Sequence, residues 1–319
     1  MVRVRIVAGI GGGGGAGGEL PEAAVARLAA AGADELFVGY VPATWRARYG
    51  FEASPNRRYR AQSQVTDDEA LARVGSAAAA AGVPWFVTLN EHALVAEQLP
   101  LAGAILDAAA EAGARGVLLA ALELAPWVRT RRPGLALAAS GDAPVCSRAG
   151  LDLAARLGFS RVILPRETTL AEAAALAAHG AGALGLEIEA FALGEWCVYD
   201  GATCMTCHGY GRDKDFCSAH RVRLLSDLRG GPARPLPPPG GDGCDRTSSW
   251  RGACALCALP ALVRAGVTHV KVPGRSVDAL DAVALVRRVI DGCADPAEVR
   301  AAMDDPAFCD GSNCRFEEA

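Results

Sequence analysis

The stretch Trp196–Cys217, WCVYDGATCMTCHGYGRDKDFC, gathers Cys197, Cys204, Cys207 and Cys217 into one glycine-broken segment. The full chain has eleven cysteines, the others being Cys146, Cys244, Cys254, Cys257, Cys293, Cys309 and Cys314. Their order reads C-x6-C-x2-C-x9-C, then Cys244, then C-x2-C at Cys254 and Cys257. Metal-binding thiolates must converge within a few ångströms, and glycine lets a backbone wrap an inorganic centre. Two chemistries fit. The pairs Cys204/Cys207 and Cys254/Cys257 have the spacing of a structural zinc site. Four thiolates of the set would equally hold an iron–sulfur cluster. A third reading, small buried hydrophobes, does not account for their concentration in one segment.

A second group of residues is suited to binding. Arg46, Arg48, Arg57, Arg58 and Arg60 crowd Tyr40–Thr66, interleaved with Trp45, Tyr49, Phe51 and Tyr59. Guanidinium forks suit carboxylates and phosphates, and aromatic faces suit a planar ring; a solvated arginine-rich loop is the alternative. Gln62 and Gln64 follow. Polar residues also mark the ends of apolar runs: Asn90, Glu91 and His92; Ser140 and Asp142; Arg166 and Glu167; Arg275. Glu189 and Lys271 lie inside such runs, where mutual pairing is the structural explanation. From this set Asn90, Arg166 and Glu167 are the candidate catalytic residues. Arg46, Arg48, Tyr49, Arg57, Arg58, Gln62, Ser140, Glu189 and Lys271 are the candidate substrate-binding residues.

The elements that must position these groups follow a simple rhythm of alanine-rich amphipathic helix, glycine, and short apolar run. Short apolar runs between helices read as buried parallel strands. Eight are expected: Val4–Ala8, Glu35–Gly39, Trp85–Leu89, Gly116–Ala121, Leu135–Ser140, Arg161–Leu164, Leu184–Phe191 and His269–Val272. Helices are expected over Pro21–Ala31, Asp67–Ala81, Leu101–Ala112, Ser147–Leu157, Leu170–Ala178, Leu256–Ala265 and Val277–Ile290. Glycine recurs where helices end, as in AEAGARGVLLA and VRAGVTHVKV, a left-handed cap before the next strand. Eight strands alternating with helices point to a single β/α (TIM-like) barrel, with an open doubly wound sheet second. The tract Gly9–Gly18 matches G-x-G-x-x-G by glycine density alone and reads as a flexible connection. The barrel is expected over 1–290, with a cysteine-rich insertion, 194–257, between strands seven and eight, and a short cysteine-containing tail over 291–319. Catalytic groups in such barrels sit after the strands, where both long connections fall.

Composition narrows the class. Formal charge is −4 with no block of like charge, which argues against a nucleic-acid partner. No apolar run is long enough for a bilayer, and MVRVRIVAGIGGGGG lacks the features of a secretory signal. A cytoplasmic location is therefore expected, where clustered cysteines mean metal or redox chemistry more often than disulfides.

Several segments, in order, resemble peptidase family U32, the collagenase-like proteins: GADELFVG, VTLNEH, ILPRETTLAEA, ALGEWCVYDGATC, GRDKDFCSAHR and CALCALPALVRAGVTHVKVPGR. The resemblance runs piecewise from Gly32 to Arg275. It implies a 4Fe–4S cluster held by four cysteines, which register on Cys197, Cys204, Cys217 and Cys254. The family's C-x3-C-R becomes C-x2-H-R at Cys217, His220 and Arg221, so Cys207, His220 or Cys257 could replace a ligand. The family's FVHGA histidine is missing here, where the chain reads Phe191, Ala192, Leu193, Gly194. The activity implied is oxygen-independent hydroxylation, or a related redox modification, of a small anionic or aromatic molecule. The alternatives are a non-catalytic electron-transfer subunit paired with a partner of the same family, hydroxylation of an RNA base, and a peptidase. No zincin motif, nucleophile elbow or Ser–His–Asp ordering supports the last.

Overall fold

A computed structural model describes residues 3–12, 20–166, 168–194, 202, 204, 254–275, 279–293, 295–302, 314 and 316. Eight strands close into a barrel in sequence order, every pair parallel. They are β1 Arg5–Ile10, β2 Glu35–Gly39, β3 Trp85–Leu89, β4 Gly116–Leu119, β5 Ala136–Ala139, β6 Arg161–Ile163, β7 Glu187–Phe191 and β8 His269–Val272. Closure comes from β8 pairing with β1, Lys271 opposite Val7.

The surrounding helices are α1 Pro21–Ala30, α2 Ala43–Tyr49, α3 Asp68–Ala81, α4 Leu99–Glu111, α5 Ala125–Arg131, α6 Arg148–Leu157, α7 Leu170–Leu184, α8 Leu259–Arg264, α9 Leu280–Gly292 and α10 Pro296–Ala302. Local chemistry sets several of their ends. Asp67 accepts a 2.7 Å hydrogen bond from the Ala70 amide at the start of α3. Thr169 and Glu172 form a reciprocal capping box on α7, which satisfies two orphan amides. α7 runs six residues beyond the expected Ala178, so β7 begins at Glu187 instead of Leu184. The extension takes in Gly180. A Cβ there would come 2.5 Å from Ile188 Cδ1, so this glycine serves close helix–strand packing. The long connection Tyr40–Thr66 also contains α2, and α5 was not expected.

Each strand presents alternate residues to the two sides of the barrel wall. Trp85, Val87 and Leu89 of β3 face outward into the main helix-packed core, whereas Phe86 faces inward. Inside, Val7, Phe37, Phe86, Leu118, Ala138, Ile163 and Phe191 form a separate apolar layer. Full burial of each large side chain there contributes about 1.5–3 kcal/mol. This layer separates two polar ends. α9 packs on β1 and α1, and α10 packs on the single turn Leu256–Ala258. Most of the segment joining β7 to β8 lies outside the described residues.

Candidate functional site

Below the aromatic layer lies an ionic cluster. Glu187, Glu189 and Phe191 alternate along β7 and face inward together, as do His269 and Lys271 on β8. Arg161 forms a two-armed ion pair with Glu35, and also reaches Glu187 at 2.9 Å and Glu189 at 3.3 Å. Lys271 Nζ donates to Glu189 at 3.0 Å and lies 3.8 Å from the centre of the Phe37 ring. Burial penalises every charge here, but Lys271 and Arg161 outweigh it at Glu189 and hold its carboxyl below the usual range. Burial pushes His269 down to about 4, with Arg161 repulsion adding to it. The pairing of Glu189 with Lys271 is therefore the structural one.

Above the aromatic layer is the barrel's C-terminal mouth, built from the ends of strands. Asn90 follows β3, Ser140 and Asp142 follow β5, Arg166 follows β6, and Pro273–Arg275 follow β8. Asn90 Nδ2 donates to Ser140 Oγ at 3.2 Å and to Asp142 Oδ2 at 3.3 Å. Asp142 Oδ1 accepts from Arg166 at 2.8 Å, and the Arg166 guanidinium stacks 4.5 Å from the Phe191 ring centre. Arg57 and Arg58 enter from the loop after β2. These side chains, with Phe37, Thr88, Leu118, Lys271 and Gly274, line one cleft.

Two guanidiniums in this cleft are almost fully buried. Arg275, 6% exposed, donates to Thr88 Oγ1 at 2.9 Å, Asn56 Oδ1 at 2.8 Å and Gln64 Oε1 at 3.4 Å, all neutral acceptors. Burial pushes its pKa down and Arg58 adds to the repulsion, with only Asp142 opposing. β2 must end in glycine to admit it, because a Cβ on Gly39 would lie 1.7 Å from Arg275 Nη1. Arg57, with a side chain 5% exposed, spends one arm on Glu91 at 3.4 Å. Its Nε and Nη2 are buried without a hydrogen-bond partner among the described residues. Burial works against its charge, but Asp142, Tyr59 and Glu91 together raise its pKa, and Cys204 contributes in the same direction. Buried donors left unsatisfied each cost about 1–3 kcal/mol, so this arrangement is poised for an anion.

The expected site residues fall into three groups. Asn90, Ser140, Arg57, Arg58, Arg166 and Lys271 are brought together at the cleft. Arg46, Arg48 and Tyr49 lie on α2, outside that lining. Arg46 donates to the Thr66 carbonyl at 3.2 Å, the Arg48 guanidinium lies over the Tyr49 ring, and Tyr49 reaches the Glu97 carbonyl. Gln62 is exposed, and its neighbour Gln64 turns inward instead, bonding Asn56 at 2.9 Å. Glu189 belongs to the lower ionic cluster. Glu167 lies outside the described residues. Asn56 and Thr88 were not anticipated. The Ser-Pro-Asn turn signal marks Asn56, and the inward phase of β3 gives Thr88.

Of the cysteines, Cys197, Cys207 and Cys217, and also His220, lie outside the described residues. Cys204 is half-buried, next to Arg57 and hydrogen-bonded through its backbone to His92. Cys254 is 7% exposed and pairs in an antiparallel bridge with Leu193, just past β7. Cys257 is buried in the turn that follows. Among the described residues, no three cysteine, histidine or carboxylate side chains are arranged to hold a metal ion. The donor chemistry still fits iron–sulfur ligation, since soft thiols from the β7–β8 connection come near Arg57 at Cys204 and reach the end of β7 at Cys254. No described helix is long and apolar enough to cross a membrane.

The fold and site define a closed β/α barrel whose strand ends hold a cation-rich cleft beside cysteines. The sequence matches the profile of peptidase family U32 over residues 22–307, and the chain belongs to that family. Among solved structures, the U32 peptidase Mk0906 aligns at 14% identity with a TM-score of 0.42, over 60% of this chain and 69% of its own. Thiamine phosphate pyrophosphorylase from Pyrococcus furiosus aligns at 11% identity and 0.47, over 91% and 96%. A protein from Aquifex aeolicus aligns at 10% and 0.49, over 95% and 94%. Likenesses of this size carry no functional information. No curated protein matches the sequence significantly.

Proposed function

We propose that this chain is an iron–sulfur protein that performs an oxygen-independent redox modification, of the hydroxylation class, on a small anionic molecule bound in the mouth cleft. The observation that carries the reading is Arg57, a buried guanidinium that lines the cleft, has two donors unsatisfied among the described residues, and lies near Cys204. Family membership supports the cofactor, a 4Fe–4S cluster on Cys197, Cys204, Cys217 and Cys254. Such a cluster supplies single-electron transfers.

The remaining roles belong to the chain's own side chains. Arg57 and Arg275 bind and orient the anionic end. Arg166, fixed by Asp142 and stacked on Phe191, holds one wall of the cleft. Asn90 sits within hydrogen-bond reach of Ser140 and Asp142 and offers an amide to a substrate oxygen. Phe37, Leu118 and Phe191 form the apolar floor that excludes water. The formal charge of −4, with no block of like charge, favours a small molecule over RNA, since nucleic-acid affinity rests largely on phosphate neutralisation.

The reading is tested by anaerobic purification with iron and sulfide quantification and visible absorption. Serine substitution of a ligand among Cys197, Cys204, Cys217 and Cys254 is expected to abolish the brown chromophore. Full iron in all four variants would refute the ligand assignment; colourless or zinc-only wild type would refute the redox reading itself.

A further inference from the structure

The C-terminal tail returns to the cysteine-bearing turn. Cys314 forms a parallel β-bridge with Cys254, which in turn bridges Leu193 at the end of β7. The Ala255 amide donates to the Ala192 carbonyl at 2.8 Å and continues the same small ladder. Paired residues in a ladder project to one side, with backbones about 4.8 Å apart, so the two thiols share a face. The tail is anchored on both sides of this point. α10 packs on the turn Leu256–Ala258, with Val299 fully buried, and Phe316, two residues beyond Cys314, is buried in the main core. Such anchoring fixes the backbone of Cys314 against a candidate ligand, and Cys257 lies one turn away.

We infer that Cys314 is a thiolate ligand of the metal centre to which Cys254 belongs and takes the place of one of Cys197, Cys204 and Cys217 in the set of four, so that the C-terminal tail closes the cluster site and the serine variant of the displaced cysteine keeps its iron. This inference rests on the iron–sulfur reading above. A packing role alone would not require a second thiol in register with Cys254, since alanine or valine fills a half-buried ladder position as well. Ligation does require one, because thiolates must be held within a few ångströms of a common centre before it forms.

The test uses the full chain, reconstituted anaerobically. Cys314→Ala is expected to weaken iron retention against a chelator by about tenfold or more and to change the electron paramagnetic resonance spectrum of the reduced cluster. Cys293→Ser, at the far end of α9, is expected to leave both unchanged. Alkylation of the intact wild type gives a readout independent of variant folding. Cys314 should be protected while iron is bound and labelled after its removal, with exposed Cys146 labelled in both states. Wild type that holds the cluster, with Cys314→Ala spectrally identical and Cys314 labelled as fast as Cys146, would overturn this inference and leave the iron–sulfur reading standing. A Cys254–Cys314 disulfide in oxygen-protected protein would also overturn it. Wild type without iron would remove both.

Discussion

Replacing Arg161 by leucine tests the physical account of the barrel interior. Arg161, Glu35 and Glu189 each have side chains 1% exposed, whereas Glu187 is 33% exposed. The exposed member keeps much of its hydration, so its share of the loss is small. Glu189 retains Lys271 at 3.0 Å. The uncompensated charge is then that of Glu35, and breaking one buried pair costs about 3–5 kcal/mol. Typical domains have about 5–15 kcal/mol in total, so urea denaturation followed by circular dichroism should resolve the loss easily. Its pH dependence has a definite sign. Burial already raises the Glu35 pKa against the pull of Arg161, and removing the guanidinium raises it further. The folded variant then binds a proton that the unfolded chain releases above its ordinary pKa of about 4.3. The deficit should therefore be largest near pH 8 and shrink toward pH 5. Adding Glu35→Leu should recover much of the loss, as for other buried pairs replaced by apolar groups. A deficit under about 1 kcal/mol, or one that grows on acidification, would refute the argument.

His269 gives a second pH effect. Burial holds its folded pKa at about 4 against about 6.5 unfolded, so the unfolded state takes up the proton first. Stability present above pH 6.5 should be lost as pH falls toward 4, by up to about 3 kcal/mol, and His269→Gln should flatten that window in denaturation curves. At the mouth, benzoate serves as a probe that combines a ring with a carboxylate. Arg57→Gln should weaken its binding about tenfold or more in isothermal titration, as expected for a lost charge-assisted hydrogen bond, and equal affinity would remove Arg57 from the recognition site.

How much of this was legible in the sequence follows from how local each cause is. The boundaries of β2, β3 and β8 match the expected ones residue for residue, because each is a short apolar run with a turn signal on both sides. β7 was misjudged at its start, since a glycine needed for contact with Ile188 carries the same letter as a glycine that ends a helix. Asn90, Ser140 and Arg166 were legible as strand-end polar residues, a consequence of barrel geometry alone. Arg46, Arg48 and Tyr49 were not placed correctly by the same logic. Their segment folds as α2, and an arginine-rich stretch gives little warning of which guanidiniums turn inward. Gln62 and Gln64 show the same limit, because two residues of one type differ only in phase around the short turn Ala61–Ser63.

The two polar ends of the barrel differ in a way that separates structure from function. In the lower cluster, Arg161 and Lys271 face Glu35, Glu187 and Glu189, and each cation touches a carboxylate at hydrogen-bond distance. In such a cluster every cation has its counter-charge within the protein. In the upper cleft, Arg57, Arg58, Arg166 and Arg275 face Asp142 and Glu91. Among the described residues, Arg275 reaches only neutral oxygens and Arg57 leaves two donors unmatched. Packing alone gives no reason to bury such groups, since apolar residues of similar volume would be as stable or more so. Under the proposed reading, an anionic ligand completes the donors that Arg57 leaves unmatched among the described residues. The same argument predicts that anions should stabilise this protein against unfolding, and that Arg57→Gln should reduce that stabilisation without affecting the lower cluster.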